Sequence, residues 1–155
     1  VGHDSNRIHE REEAMSLTSK ATTTWTGTLA KGSGAVEFTS SKIGTYPINW
    51  NARTAGEDAV TTPEELIAAA HASCFSMALS NALEQNGTPA GTLYTTAEVG
   101  FTPGTGITGS HLHLKAEVEG LSNEDFQKVA EDAKKNCPVS QALAGIEITL
   151  TAELR

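Results

Sequence analysis

The sequence predicts an α+β fold in which antiparallel sheets pack around one long buried central helix. Three observations carry that prediction: a strongly capped apolar segment from Thr62 to Gly87, alternating Thr- and Val-rich runs on both sides of it, and a second amphipathic segment ended by Pro138. The polar, aperiodic residues 1–14 stand directly before Met15 and read as a leader without fixed structure, so the domain is placed at residues 15–155. Neither an internal repeat nor a linker divides it.

Taken in order, Ala21 to Leu29 reads as a strand around Trp25, Lys31 to Gly34 as a turn, and AVEFT from Ala35 as the hairpin mate, with a third short strand around Tyr46 to Trp50. NARTAGEDAVTT then reads as a loop. At Thr62-Pro63-Glu64-Glu65 a capping threonine, a proline at the first helical position and a glutamate three residues after the cap satisfy the free N–H groups of a helix start. The helix runs to Asn86-Gly87, where glycine takes the left-handed cap. One face carries Ile67, Ala70, Cys74, Met77, Ala78 and Asn81, but the opposite side is also apolar, which predicts burial nearly all round.

Beyond it, Leu93 to Phe101 reads as a strand and PGTGITG as a loop. His111 to Val118 alternates Leu112, Leu114, Ala116 and Val118 on one face. A helix starts at Ser122, with Glu124 and Asp125 in its first turn and Lys134 and Lys135 in its last, as the helix dipole favours. Its packing stripe is Phe126, Val129, Ala130 and Ala133. Cys137-Pro138 breaks it, because proline disfavours the helical conformation in the preceding residue. After the turn VSQALA, Ile146 to Leu154 closes the domain as a strand.

A net charge of -8 with 11 Lys and Arg argues against nucleic-acid and anionic-membrane surfaces, which require phosphates to be neutralised. No run approaches the roughly 20 consecutive apolar residues of a membrane span, and no signal-like segment opens the chain. The protein is therefore expected to be cytoplasmic. In a reducing compartment, two cysteines are inert thiols, metal ligands or redox groups rather than a structural cross-link.

Cys74 lies in mid-helix, far from the terminal dipole that lowers many reactive thiol pKa values. To react it needs a cation. Arg53 is the one Arg or Lys between Lys42 and Lys115, and its fork of donors suits both a thiolate and a peroxide oxygen. An arginine in apolar surroundings needs a carboxylate to aim it, and Glu64 or Glu65 serves. Glu64 and Cys74 are separated by ten helical residues, about 15 Å, which a symmetric dimer with antiparallel helices would bridge by bringing Glu64 of one chain to Cys74 of the other. Cys74 and Cys137 stand 63 positions apart, which leaves open whether they meet; a disulfide needs their Cα atoms within about 7 Å.

Other readings compete. Cys74 on an apolar face also suits an inert core residue. His71, Cys74 and one of His111 or His113 make a conceivable metal set, although no closely spaced cysteine pair supports it, and His71 also suits a hydrogen-bonded core histidine. A non-catalytic carrier of apolar ligands would need neither thiol.

The segments TPEELIAAAHASCFSMAL and CPVSQAL together resemble the OsmC/Ohr family of osmotically inducible and organic-hydroperoxide-resistance proteins, over Ala21 to Leu154. The histidine three before the cysteine is more similar to the OsmC branch. The resemblance implies an OsmC-like fold in an intertwined homodimer with sites at the subunit interface. It also implies a stress-defence peroxidase in which Cys74 is peroxidatic, Cys137 resolving, Arg53 activating and Glu64 its orienting carboxylate. No cofactor is implied, only an external dithiol reductant such as a dihydrolipoyl or thioredoxin-type protein. Phe75 and Met77 are expected as apolar walls suited to organic hydroperoxides. Thr54 departs from the family pattern, where an aromatic is common.

Overall fold

In the computed structural model, which describes residues 16–155, the cap signals at Thr62 and Gly87 bound the longest helix. The leader assigned to residues 1–14 lies outside the described residues. Three short strands come first, β1 (Thr22–Thr26), β2 (Ser33–Glu37) and β3 (Thr45–Ile48), forming an antiparallel sheet in that order. β3 ends before Trp50 because a short helix, α1 (Trp50–Ala55), begins there. The loop expected at NARTAGEDAVTT is thus half helix. Asn49 caps it, its Oδ1 accepting from the Ala52 N–H at 2.7 Å.

The central helix α2 (Pro63–Gln85) starts as its sequence requires: the Thr62 hydroxyl accepts from the Glu65 N–H at 3.0 Å. Glu65 does not complete a reciprocal capping box, since its carboxylate instead accepts from the Thr61 hydroxyl at 2.6 Å. At the far end Gly87 adopts φ +77°, and the Thr88 N–H donates to the Leu83 carbonyl at 3.0 Å.

Two 13-residue strands follow, β4 (Ala90–Thr102) and β5 (Gly106–Val118), paired as a long antiparallel hairpin. Only three residues of the expected PGTGITG loop form the turn; the rest joins β5. The helix α3 (Asn123–Asn136), the one-turn α4 (Pro138–Ala142) and β6 (Glu147–Leu154) complete the chain. β6 pairs with β5 in parallel, a departure from the all-antiparallel expectation. The reason is connectivity: α3 and α4 form a crossover that returns the chain to the end of the sheet where β5 began.

The alternation in β5 decides which side faces the core. Ser110, Leu112, Leu114, Ala116 and Val118 are buried, and the residues between them face outward. Against this face pack Phe75, Leu79 and Leu83 of α2, Phe126, Ala130 and Ala133 of α3, and Cys137. Burying each large apolar side chain contributes about 1.5–3 kcal/mol, so the α2–β5–α3 wedge is the main source of stability.

The central helix is not buried all round within one chain. Its buried stripe, His71, Phe75, Leu79 and Leu83, recurs every four residues, while Ala69, Ala70, Ser73 and Met77 are exposed. Contrary to the sequence expectation, α2 is long and apolar enough to cross a membrane, with mean hydropathy 1.4. In this fold it is the core helix, packed on β4, α3 and α4.

Candidate active site

Cys74 lies on α2 beside the buried stripe, half-exposed and packed against the core, and Cys137 is fully buried. Cys137 sits at a junction that its neighbour imposes. Its N–H caps α3 by donating to the Ala133 carbonyl at 2.9 Å, and its carbonyl accepts from Gln141 at 3.1 Å in the next turn, with Pro138 opening α4. Since the Cys137 side chain makes no cap, it is free to turn inward. The Cys74 and Cys137 thiols, left unrelated by spacing, are brought close enough for Cys137 to perturb the ionisation of Cys74, and both are free.

Burial pushes the Cys74 thiol above its ordinary pKa, the neighbouring Cys137 side chain pushes it the same way, and the nearby Val139 backbone N–H acts in the opposite direction. Among the described residues no cation contributes.

The cation is elsewhere. Arg53, carried on α1, donates from both Nε and Nη2 to Oε1 of Glu64, at 2.9 and 2.8 Å. The choice left open between two glutamates falls on Glu64, whose side chain is 7% exposed, because Glu65 turns outward to Thr61. The Arg53 guanidinium stacks over the Phe101 ring at 4.1 Å, and Trp50 meets that ring edge-on at 5.9 Å. Among the described residues Nη1 of Arg53 makes no hydrogen bond, so its donors are available to a further group. Thr54 does not disturb this arrangement; its hydroxyl donates to the Trp50 carbonyl at 3.1 Å. Sequence reasoning missed Phe101 and Trp50, for which no spacing signal existed.

The four predicted site residues therefore form two pairs, Cys74 with Cys137 and Arg53 with Glu64, separated along α2 by the ten residues that measure about 15 Å. Phe75 does not line a substrate wall: it is fully buried at the centre of the core, because it continues the four-residue stripe of α2. Met77 is 74% exposed and borders an open groove of about 480 Å³ between α2 and β4, with Ser76, Ser80, Asn81 and Leu93.

The metal set does not assemble. His71 is fully buried between Ser110 Oγ, 2.6 Å from Nδ1, and Ser140 Oγ, 2.8 Å from Nε2, and burial lowers its pKa. His111 and His113 occupy the opposite, outer face of the sheet, where His111 bonds Thr149 and Thr151 and His113 meets Glu98 at 3.4 Å.

Known proteins share this arrangement of elements. The family model described as OsmC-like protein matches residues 56–151. The chain is 39% identical over 144 residues to "Peroxiredoxin OsmC" of Escherichia coli, spanning 91% of this chain and 99% of that one. It is 36% identical over 100 residues to "Organic hydroperoxide resistance protein-like 1" of Staphylococcus epidermidis, spanning 61% of this chain and 70% of the relative. Among solved structures, an organic hydroperoxide resistance protein from Elizabethkingia anophelis superposes with a TM-score of 0.66 at 27% identity, covering 91% of this chain and 100% of that one. On sequence, family model and fold together, this chain belongs to the OsmC-like protein family.

Proposed function

We propose that this chain is a thiol peroxidase that reduces organic hydroperoxides and serves in defence against them. The observation that carries this reading is the contact between the Cys74 and Cys137 thiols, one half-exposed and the other buried behind it. The names of the E. coli and S. epidermidis relatives point to the same chemistry.

The Cys74 thiolate attacks one peroxide oxygen, the O–O bond breaks, and the alcohol leaves with a proton while Cys74 becomes a sulfenic acid. The Cys137 thiol displaces the sulfenic hydroxyl as water, closing a Cys74–Cys137 disulfide. An external dithiol, of the dihydrolipoyl or thioredoxin type, returns both sulfurs to thiols through a mixed disulfide. No bound cofactor enters any of these steps.

Burial raises the pKa of Cys74, and among the described residues of one chain no cation lies beside it to favour the thiolate. In this reading a second copy supplies the cation. The uncovered face of α2, with Ala70, Ser73 and Met77, is the contact, and the partner's Arg53 reaches Cys74 with its free Nη1 while Glu64 and Phe101 hold its other edge and its face.

Consumption of an organic hydroperoxide in the presence of a dithiol tests the reading. Turnover should vanish in Cys74→Ser and exceed that with hydrogen peroxide in the wild type. Retained turnover in Cys74→Ser would overturn it, and unchanged binding of an apolar peroxide analogue without turnover would favour a ligand carrier.

A further inference from the structure

His71 has no part in the steps above, yet it is the most buried polar side chain near Cys74 and both its ring nitrogens are engaged. Its partners come from different elements. Ser110 belongs to β5, in the rigid centre of the sheet, and Ser140 belongs to α4, the single turn that begins immediately after Cys137. α4 also carries Val139, whose backbone N–H lies near the Cys74 sulfur and whose side chain packs on the core. Beyond the packing of Cys137 and Val139 on the core and the backbone bonds of the turn itself, the Ser140–His71 bond is the polar side-chain tie of this five-residue helix, which has no side-chain cap at its start and whose Pro138 contributes no N–H. A neutral imidazole donates through one nitrogen and accepts through the other, and each serine hydroxyl can do either, so the chain Ser110–His71–Ser140 is fully satisfied without a charge.

We infer that His71 is a positioning residue for disulfide closure: through Nε2 and Ser140 it holds the Cys137–Pro138–Val139 turn against α2, so that the resolving sulfur stays in line with Cys74. The inference rests on the peroxidase reading for its biological meaning, but the contact it describes is a property of the two thiols alone. Closure joins two sulfurs within one chain, and its rate depends on their alignment in the same way as any intramolecular reaction, where a misplacement of about 1 Å costs as much as 100-fold. The imidazole is fixed by its own helix and its complete burial; the bond to Ser140 carries that position to the turn, and the bond to Ser110 satisfies the other ring nitrogen.

Two pairs of variants separate this role from generic core stability. Ser140→Ala and Ser110→Ala each remove one hydroxyl from the same histidine. His71→Gln places an amide near the Nε2 position and keeps the Ser140 contact, whereas His71→Asn places it near Nδ1 and keeps only Ser110. After one equivalent of cumene hydroperoxide, closure is followed by intact mass, together with the sulfinic fraction at Cys74 under excess peroxide. Closure should slow by about tenfold or more in Ser140→Ala and His71→Asn, with more sulfinic acid, and stay within about threefold of wild type in Ser110→Ala and His71→Gln. Loss of the Cys74 thiol itself should be unchanged in Ser140→Ala. Equal effects of the two serine variants, or wild-type closure in Ser140→Ala, would overturn the inference. A glutathione redox titration of the Cys74–Cys137 pair reads the same alignment without peroxide. If wild type does not react with hydroperoxide, the peroxidase reading fails, and the order of the variants in that titration still decides the role of His71.

Discussion

Mixing two inactive variants tests how the halves of the site are joined. Arg53 is tied to Glu64 near the start of α2, about 15 Å along the helix from Cys74, so the arginine that serves a given Cys74 is taken to come from a second copy. Arg53→Ala alone removes the charge that offsets the burial of the thiolate. By comparison with the loss of one preorganised charge-stabilising group, the first step should slow by about 100- to 1,000-fold. Cys74→Ser alone has no nucleophile. In a heterodimer of the two variants, the Arg53→Ala chain supplies Cys74 and its partner supplies Arg53, which restores one site of the two. Random pairing in equal coexpression makes half the dimers mixed, so activity should recover to about one quarter of wild type. The control is Cys74→Ser with Cys137→Ser: these thiols meet within one chain, and no recovery of disulfide-linked turnover is expected. Coexpression of Arg53→Ala with Cys74→Ser that stays at the level of the parents would refute the shared site.

Two further outcomes follow from the same geometry. Glu64→Gln keeps an acceptor for Arg53 but removes the buried charge; because Arg53 is partly exposed and also rests on Phe101, the stability loss in urea should be about 1–2 kcal/mol, below the 3–5 kcal/mol of a fully buried broken pair. His71 has a folded pKa below its unfolded value near 6.5, so its contribution is fully present above pH 6.5 and is lost as pH falls from there towards the folded pKa. Over that interval the unfolding free energy of wild type from urea titration should fall more steeply than that of His71→Gln, by at most about 1.4 kcal/mol per pH unit.

What the sequence made legible was local chemistry. The α2 boundaries follow from Thr62, Pro63 and Gly87, the inner face of β5 from alternation, and the α3 break from Cys137-Pro138, each decided by residues within a few positions. The α1 helix was hidden because six residues carry too little periodicity to outweigh the Gly- and Thr-rich segment after them, even with Asn49 at its cap. The parallel placement of β6, the contact between Cys74 and Cys137, and Phe101 beneath Arg53 are long-range outcomes with no local signal. Phe75 and Met77 show the limit of pattern reading on an apolar helix. Neighbours in sequence, they lie one at the centre of the core and one in the open, because only the stripe through His71, Phe75, Leu79 and Leu83 meets the sheet. The choice of Glu64 over Glu65 depended on which carboxylate Thr61 captured, a side-chain detail that the spacing of a capping box does not contain.

The most direct measurement is a count of free thiols on the fully reduced protein before and after one equivalent of an organic hydroperoxide, with peptide mapping of the product. The account predicts that both thiols disappear together into one bond linking the peptides of Cys74 and Cys137, and that Cys137→Ser instead stops at a sulfenic acid on Cys74. Two thiols still free after the peroxide has been added, or oxidation that begins at Cys137, would contradict it.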